Sequence, residues 1–166
     1  MCMASATASV DLFDDARITS MGLLSEAYLG LTTRLACQIA EHKVSQVEFE
    51  VLLRLSRSPD CRLRMTDLSA QTSLTASGVT RVVDRLERDN LVVREACASD
   101  RRSLYAVLTQ SGRTRIAAIL PGHIALIEQW FTSRLTPDEL DGLLAGLRVI
   151  RDAVRPAATA GSTGAE

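Results

Sequence analysis

A mainly α-helical domain with one small β-hairpin is the fold class that this sequence predicts, on three observations. Apolar residues recur at helical spacing through most of the chain, as in Val79, Val82, Val83 and Leu86. One pair of β-rich runs, Leu91-Val92-Val93 and Leu104-Tyr105-Ala106-Val107-Leu108, flanks a polar turn. Hydrophobic residues make up 46% of the chain but aromatics only 4%, which favours helices packed through Leu, Val, Ile and Ala. At 166 residues, a single domain with one sizeable core is expected.

The first ten residues, MCMASATASV, have neither a basic start nor a sustained apolar run, so they read as a disordered tail rather than a signal peptide. From about Val10 to Ala40 the chain favours helix, with Leu24, Tyr28, Leu31, Leu35 and Ile39 at helical spacing and an apolar surface broad enough to need a covering partner. Ser45 and Glu48 form a capping-box pattern for a second helix that buries Phe49, Leu52, Leu53 and Leu55, and Pro59-Asp60 stops it. Arg54, Arg57, Arg62 and Arg64 crowd that helix end and the loop after it, where contact with phosphate or a solvated basic face are both open readings. Thr75 is placed to cap a short amphipathic helix, which Asp89-Asn90 ends before the hairpin begins.

Thr109 can cap a long helix whose stripe runs Ile116, Leu120, Ile124, Ile127, Phe131 and Leu135. Pro121-Gly122 predicts an interruption and a kink near residues 117–121, because proline has no N–H for the carbonyl four residues back. Thr136-Pro137-Asp138-Glu139 combines an N-cap, proline at the first helical position and a capping-box glutamate. The helix it opens is expected to bury Leu140, Leu143, Leu144, Leu147 and Val154. Residues 156–166, small and polar, read as a second disordered tail. The organised part is residues 11–155, with a compact middle segment at 45–108 set between helical segments 11–41 and 109–155.

A net charge of −1 argues on its face against a polyanionic partner, but the distribution of charge along the chain points the other way. Residues 1–53 carry three basic and seven acidic side chains, residues 54–115 twelve and seven, and residues 116–166 four and six. Only the middle segment is positive, and pairing two copies would double it into a basic face. Enzymatic classes find no support: there is no P-loop, G-x-S-x-G elbow, HExxH or dinucleotide fingerprint. His42 and His123 are far apart in sequence, and Cys2, Cys37, Cys61 and Cys97 show no CxxC spacing, so no metal, cofactor or disulfide framework is indicated. No run approaches the ~20 apolar residues of a membrane span, and a cytoplasmic location without a membrane partner is expected.

The middle segment carries the chemistry. Opposite the Val79–Leu86 stripe, the short helix presents Ser77, Thr80, Arg81, Asp84 and Arg85, with small Ala76 and Gly78 in its first turn after Thr75. Such a turn can approach base edges closely and offer N–H groups to phosphate, and Arg81 has the reach to read guanine bidentately. The hairpin tip holds Ser99, Asp100, Arg101, Arg102 and Ser103. Exposed arginines there contribute little to folding but suit a narrow, negative minor groove, and Asp100 could hold Arg102 extended. Double-stranded DNA is the partner these features fit.

FEVLLRLSRSP, MTDLSAQTSLTASGVTRVVDRLERDNLVVRE and DRRSLYAVLTQSGR, in that order between Val47 and Arg115, resemble the winged helix-turn-helix of the MarR (multiple antibiotic resistance regulator) family over roughly two fifths of the chain. The resemblance implies that the helix from Thr75 is the recognition helix, that Thr66 to Gln71 is the helix before it, and that Asp100-Arg101-Arg102 is the wing motif, with Arg102 entering the minor groove. It also implies a homodimer held by helices at 11–41 and 109–155, an inverted-repeat operator and repression as the usual mode. A small aromatic or phenolic ligand would sit between the dimerisation helices and the DNA-binding lobe, for which Tyr28, Arg34 and Trp130 are the candidate contacts. Two alternatives stay open: a redox-responsive regulator acting through Cys97, the cysteine expected to be most exposed, and a winged-helix scaffold that binds protein instead of DNA.

Overall fold

A computed structural model describes residues 12–72, 74–97 and 103–159. Six α-helices and three short strands follow one another: α1 (Ala16–Glu41), α2 (Gln46–Ser56), β1 (Arg62–Arg64), α3 (Met65–Thr72), α4 (Ala76–Arg88), β2 (Val92–Ala96), β3 (Leu104–Leu108), α5 (Gln110–Trp130) and α6 (Pro137–Val154). The predicted class is correct, a mainly helical chain with a small antiparallel sheet. That sheet has three strands in the order β1-β3-β2.

Local capping chemistry sets the helix starts. Ser45 and Glu48 form a reciprocal capping box at α2, and Thr136 and Glu139 form another at α6. The Thr75 and Thr109 hydroxyls accept from the N–H groups of Gly78 and Gly112 at the starts of α4 and α5. At the end of α4, Asn90 adopts a left-handed φ of 56°, its N–H reaches the Glu87 carbonyl, and Leu91 N–H reaches Leu86. This Schellman geometry satisfies two terminal carbonyls and turns the chain directly into β2.

The core lies where α2, α3, α4, the sheet and the first half of α5 meet, and it includes Phe49, Leu52, Leu55, Leu68, Val79, Val83, Leu86, Val92 and Ile119. Gly112 joins this core to the long helix: an added Cβ would lie 2.1 Å from the Leu91 carbonyl oxygen. Two bonds of Thr109 fasten the same joint, its N–H to the Leu91 carbonyl and its hydroxyl to the Asn90 carbonyl.

Several sequence expectations need correction. Strand β1 has no counterpart among them; it is an edge strand that pairs Leu63 with Ala106 and Arg64 with Tyr105. The first long helix starts at Ala16, after a 3-10 turn at Leu12–Asp14. Helix α5 continues through Pro121 without the expected interruption, held on its inner side by packing against α1 and α2. Its inner face is Ile116, Ile119 and His123, whereas Ile124 is exposed. Helix α6 buries none of its residues within the chain, and Val154 is exposed. The segment from Pro156 is also not wholly a tail: Pro156–Thr159 forms a 3-10 turn with Ala158 buried, and the Arg155 guanidinium donates to the Ala70 and Gln71 carbonyls at the end of α3.

Candidate nucleic-acid interface

Helix α4 divides cleanly into two faces. Val79, Val82, Val83 and Leu86 are buried in the core, and Thr75, Ala76, Ser77, Thr80, Arg81 and Arg85 are exposed on the other side, with Gly78 half-buried between them. The polar first turn is ordered by its own side chains. The Thr75 hydroxyl lies 3.1 Å from that of Ser77, and the Thr80 hydroxyl donates to the Ala76 carbonyl at 2.9 Å.

The cations of this region differ sharply in how far they are committed. Arg85 donates from Nε to Glu48 Oε1 at 2.7 Å, so it braces α4 against the start of α2. Burial alone would raise the Glu48 carboxyl, but its bonds from Arg85 and Ser45 outweigh that and hold it below the ordinary carboxylate range. Arg94 on β2 is held by Asp84 at 2.8 Å, by Glu87, and by the Thr80 carbonyl at 3.2 Å. Arg88 Nε reaches the Asp84 carbonyl. Arg81 alone of these has a guanidinium with no partner among the described residues. The Arg85–Glu48 pair could not be read from the sequence, because its two ends are 37 residues apart.

The hairpin runs outward from this helix. Strands β2 and β3 pair from Val92 with Leu108 to Ala96 with Leu104, and Cys97 N–H extends the ladder to the Ser103 carbonyl. Asp100, Arg101 and Arg102 lie outside the described residues. Cys97, expected to be the most exposed thiol, is buried at 5% exposure, its sulfur 3.9 Å from the Tyr105 hydroxyl. That burial works against a redox role for it. Cys37 on α1 is the exposed one among the described residues.

The three candidate ligand contacts separate. Tyr28 lines a cavity of about 620 Å³ between α1 and α5 on one side and α2 and α3 on the other. Arg34 and Trp130 do not line it; they stack on each other at 4.0 Å, clamping α1 to the end of α5, with Arg134 on the same indole at 5.1 Å. Arg54 and Arg57, which the sequence leaves between phosphate contact and a solvated basic face, line this cavity with Glu50; sequence reasoning missed Gln71, His123 and Arg151 as its neighbours because they come from separate elements far apart along the chain. His123 is buried against the Phe49 ring at 4.6 Å with Nδ1 lacking a hydrogen-bond partner among the described residues, and burial holds its pKa below the ordinary histidine range. No group of three or more metal-ligating side chains occurs among the described residues. None of the described helices is long and apolar enough to cross a membrane.

Comparison with known proteins agrees with this geometry. Residues 42–103 match the model of the MarR family. The chain is 38% identical over 109 residues to the uncharacterised HTH-type transcriptional regulator YkoM of Bacillus subtilis, covering 65% of this chain and 68% of that protein. AbsC, a MarR-family transcriptional regulator from Streptomyces coelicolor, has a crystal structure that superposes with a TM-score of 0.81 at 31% identity, covering 90% of this chain and 99% of its own. A second MarR-family regulator from Streptomyces coelicolor, Sco3205, solved in complex with DNA, gives a TM-score of 0.71 at 30% identity over 83% of this chain and 89% of its own. With the winged architecture, the polar-faced α4 and these relatives in agreement, the chain belongs to the MarR family of transcriptional regulators.

Proposed function

We propose that this protein is a homodimeric, sequence-specific DNA-binding repressor that a small-molecule ligand releases from its operator. One observation carries the reading: on the exposed face of α4, Arg85 is tied to Glu48 and the adjoining Arg94 to Asp84 and Glu87, while Arg81 has no partner among the described residues. A folding role explains the first two arginines and not the third. Thr75, Ala76, Ser77, Gly78 and Thr80 bring the helix start close to base edges in the major groove, Arg81 reads a base, and Asp100, Arg101 and Arg102 serve the adjacent minor groove. Arg85 acts indirectly, by fixing the angle of α4.

Two copies joined through their outer helices would set two α4 helices one B-DNA turn apart, about 34–36 Å, and so select an inverted repeat. The cavity between the helical frame and the reading lobe has Tyr28 and Phe49 on its wall with Arg57, while Arg54 is paired to Glu50 and Arg151 to Asp152, and it suits a small aromatic or phenolic molecule. A ligand that binds one spacing of the lobes better than the other shifts the population by its differential affinity, and one that binds both equally shifts nothing.

The test is binding of the duplex upstream of the protein's own gene, with wild type and Arg81→Ala compared by fluorescence anisotropy. Arg81→Ala is expected to weaken the specific duplex by ~1–3 kcal/mol and to relax the preference at one base position, leaving random duplex nearly unaffected. Equal loss on both duplexes would remove Arg81 as a base reader. Absence of binding to any duplex in dilute salt would favour the protein-scaffold alternative.

A further inference from the structure

From the geometry of the cleft between α4 and the hairpin, and resting on the DNA-binding reading above, we infer that Arg64 is a phosphate-contacting residue, held in position by Tyr105, that grips the DNA strand passing between the two grooves.

A cavity of about 310 Å³ opens between the two reading elements, lined by Arg64, Thr66, Thr80, Asp84, Arg94 and Ser103 together with Met65 and Leu104. One wall is thus the exposed face of α4 and another is the far end of the β2–β3 ladder. A duplex that takes α4 into its major groove and the hairpin into the neighbouring minor groove must carry the intervening sugar-phosphate strand across this cleft. That strand brings negative charge, and the cleft has two arginines with which to meet it. Arg94 is already engaged by Asp84, Glu87 and the Thr80 carbonyl. Arg64 is exposed and forms no ion pair with a carboxylate among the described residues.

Arg64 is nevertheless not loose. It ends β1, directly opposite Tyr105 on β3, and its Nε donates to the Tyr105 hydroxyl at 3.4 Å. The guanidinium lies 5.9 Å from the same ring, and Arg62 sits on that ring at 5.1 Å with its own charge paired to Asp60. Tyr105 therefore limits the rotamers of Arg64 without neutralising it. A pre-ordered guanidinium with free N–H donors is well suited to phosphate oxygen and loses little entropy on contact.

A phosphate contact adds to affinity without adding to sequence preference. Arg64→Ala should therefore weaken specific and random duplexes alike. One lost phosphate contact lowers the slope of log K against log salt by about 0.9, which corresponds to roughly eightfold weaker binding at ~0.1 M salt. Arg62→Ala, whose charge is already paired, is expected to change the slope far less. Tyr105→Leu, which removes both the hydroxyl and the ring, should lose affinity on all duplexes together with part of the salt slope, since an unplaced guanidinium contacts phosphate less often, and Tyr105→Phe, which removes only the hydroxyl that Arg64 bonds, should lose less. Thermal unfolding of each variant confirms that the lobe is intact.

An Arg64→Ala protein with wild-type affinity and slope, beside an Arg81→Ala control that is impaired on the specific duplex, would overturn this inference and leave the DNA-binding function standing. Wild type that binds no duplex would overturn both. A loss confined to one sequence would make Arg64 a base reader and overturn the phosphate assignment.

Discussion

The reading lobe and the helical frame are built from similar residues but end in opposite states. In the lobe, Val51, Leu52, Val79 and Val83 have no exposed surface at all. In the frame, Ile18 and Leu29 on α1 are each 61% exposed, and Val149 and Val154 on α6 are each 71% exposed. The lobe closes its own core because α2, α3, α4 and the sheet meet from several directions. The frame's helices have only one inner side to share, so their other apolar sides stay open. The difference teaches that one chain is a complete reading head on an incomplete scaffold. A second copy of the chain covers the open faces in the proposed dimer.

The sharpest way to break this comparison is to charge the open faces. Leu29→Glu combined with Val149→Glu should produce a monomer by sedimentation equilibrium and weaken operator binding by about a hundredfold or more, since each half-site then binds without its tethered neighbour. The lobe's near-native circular dichroism should survive. A dimer that persisted would show that these faces are not the contact.

Next in size is the joint between the two regions. Gly112→Ala puts a methyl group against the Leu91 carbonyl, so it should lower stability by about 1–3 kcal/mol in urea unfolding. An unchanged midpoint would mean that the joint yields easily and does not transmit position from frame to lobe.

The smallest effect concerns His123, which lies where frame and lobe meet over the large cavity. Burial lowers its pKa, so the unfolded chain binds this proton more readily than the folded one. Its contribution to stability is therefore intact above the ordinary histidine range and is lost as pH falls through that range toward the folded-state value. Wild type should lose more thermal stability than His123→Phe between about pH 7 and pH 5.5. Parallel losses would remove His123 as the titrating group.

The parts of this molecule legible in the sequence are those set by short-range chemistry. Thr75, Thr109 and the pairs Ser45–Glu48 and Thr136–Glu139 cap as their spacing predicts, because a cap involves residues only three apart. The buried stripe of α4 follows from its helical period, and the pairing of β2 with β3 from two β-rich runs about a polar turn. Strand β1 was invisible, since Arg62-Leu63-Arg64 has no strand signal of its own and is extended only because β3 pairs with it. Cys97 reads as exposed beside a polar turn and is buried in the fold, its sulfur beside the Tyr105 hydroxyl. Arg85 reads in the sequence as one more DNA contact, and only tertiary packing shows its Nε bonded to Glu48.

By itself, then, the sequence determined where the capped helices start, which side of α4 faces inward, and that the middle of the chain concentrates positive charge. Those properties depend on neighbours a few residues away and on simple counting. Only the tertiary structure decided which arginines remain available, which wall of the frame stays open, and that Pro156–Thr159 packs down behind α3. The reason is physical: a charge is neutralised, a face is covered or a tail is held by groups that are distant along the chain, and only the fold brings them within bonding distance.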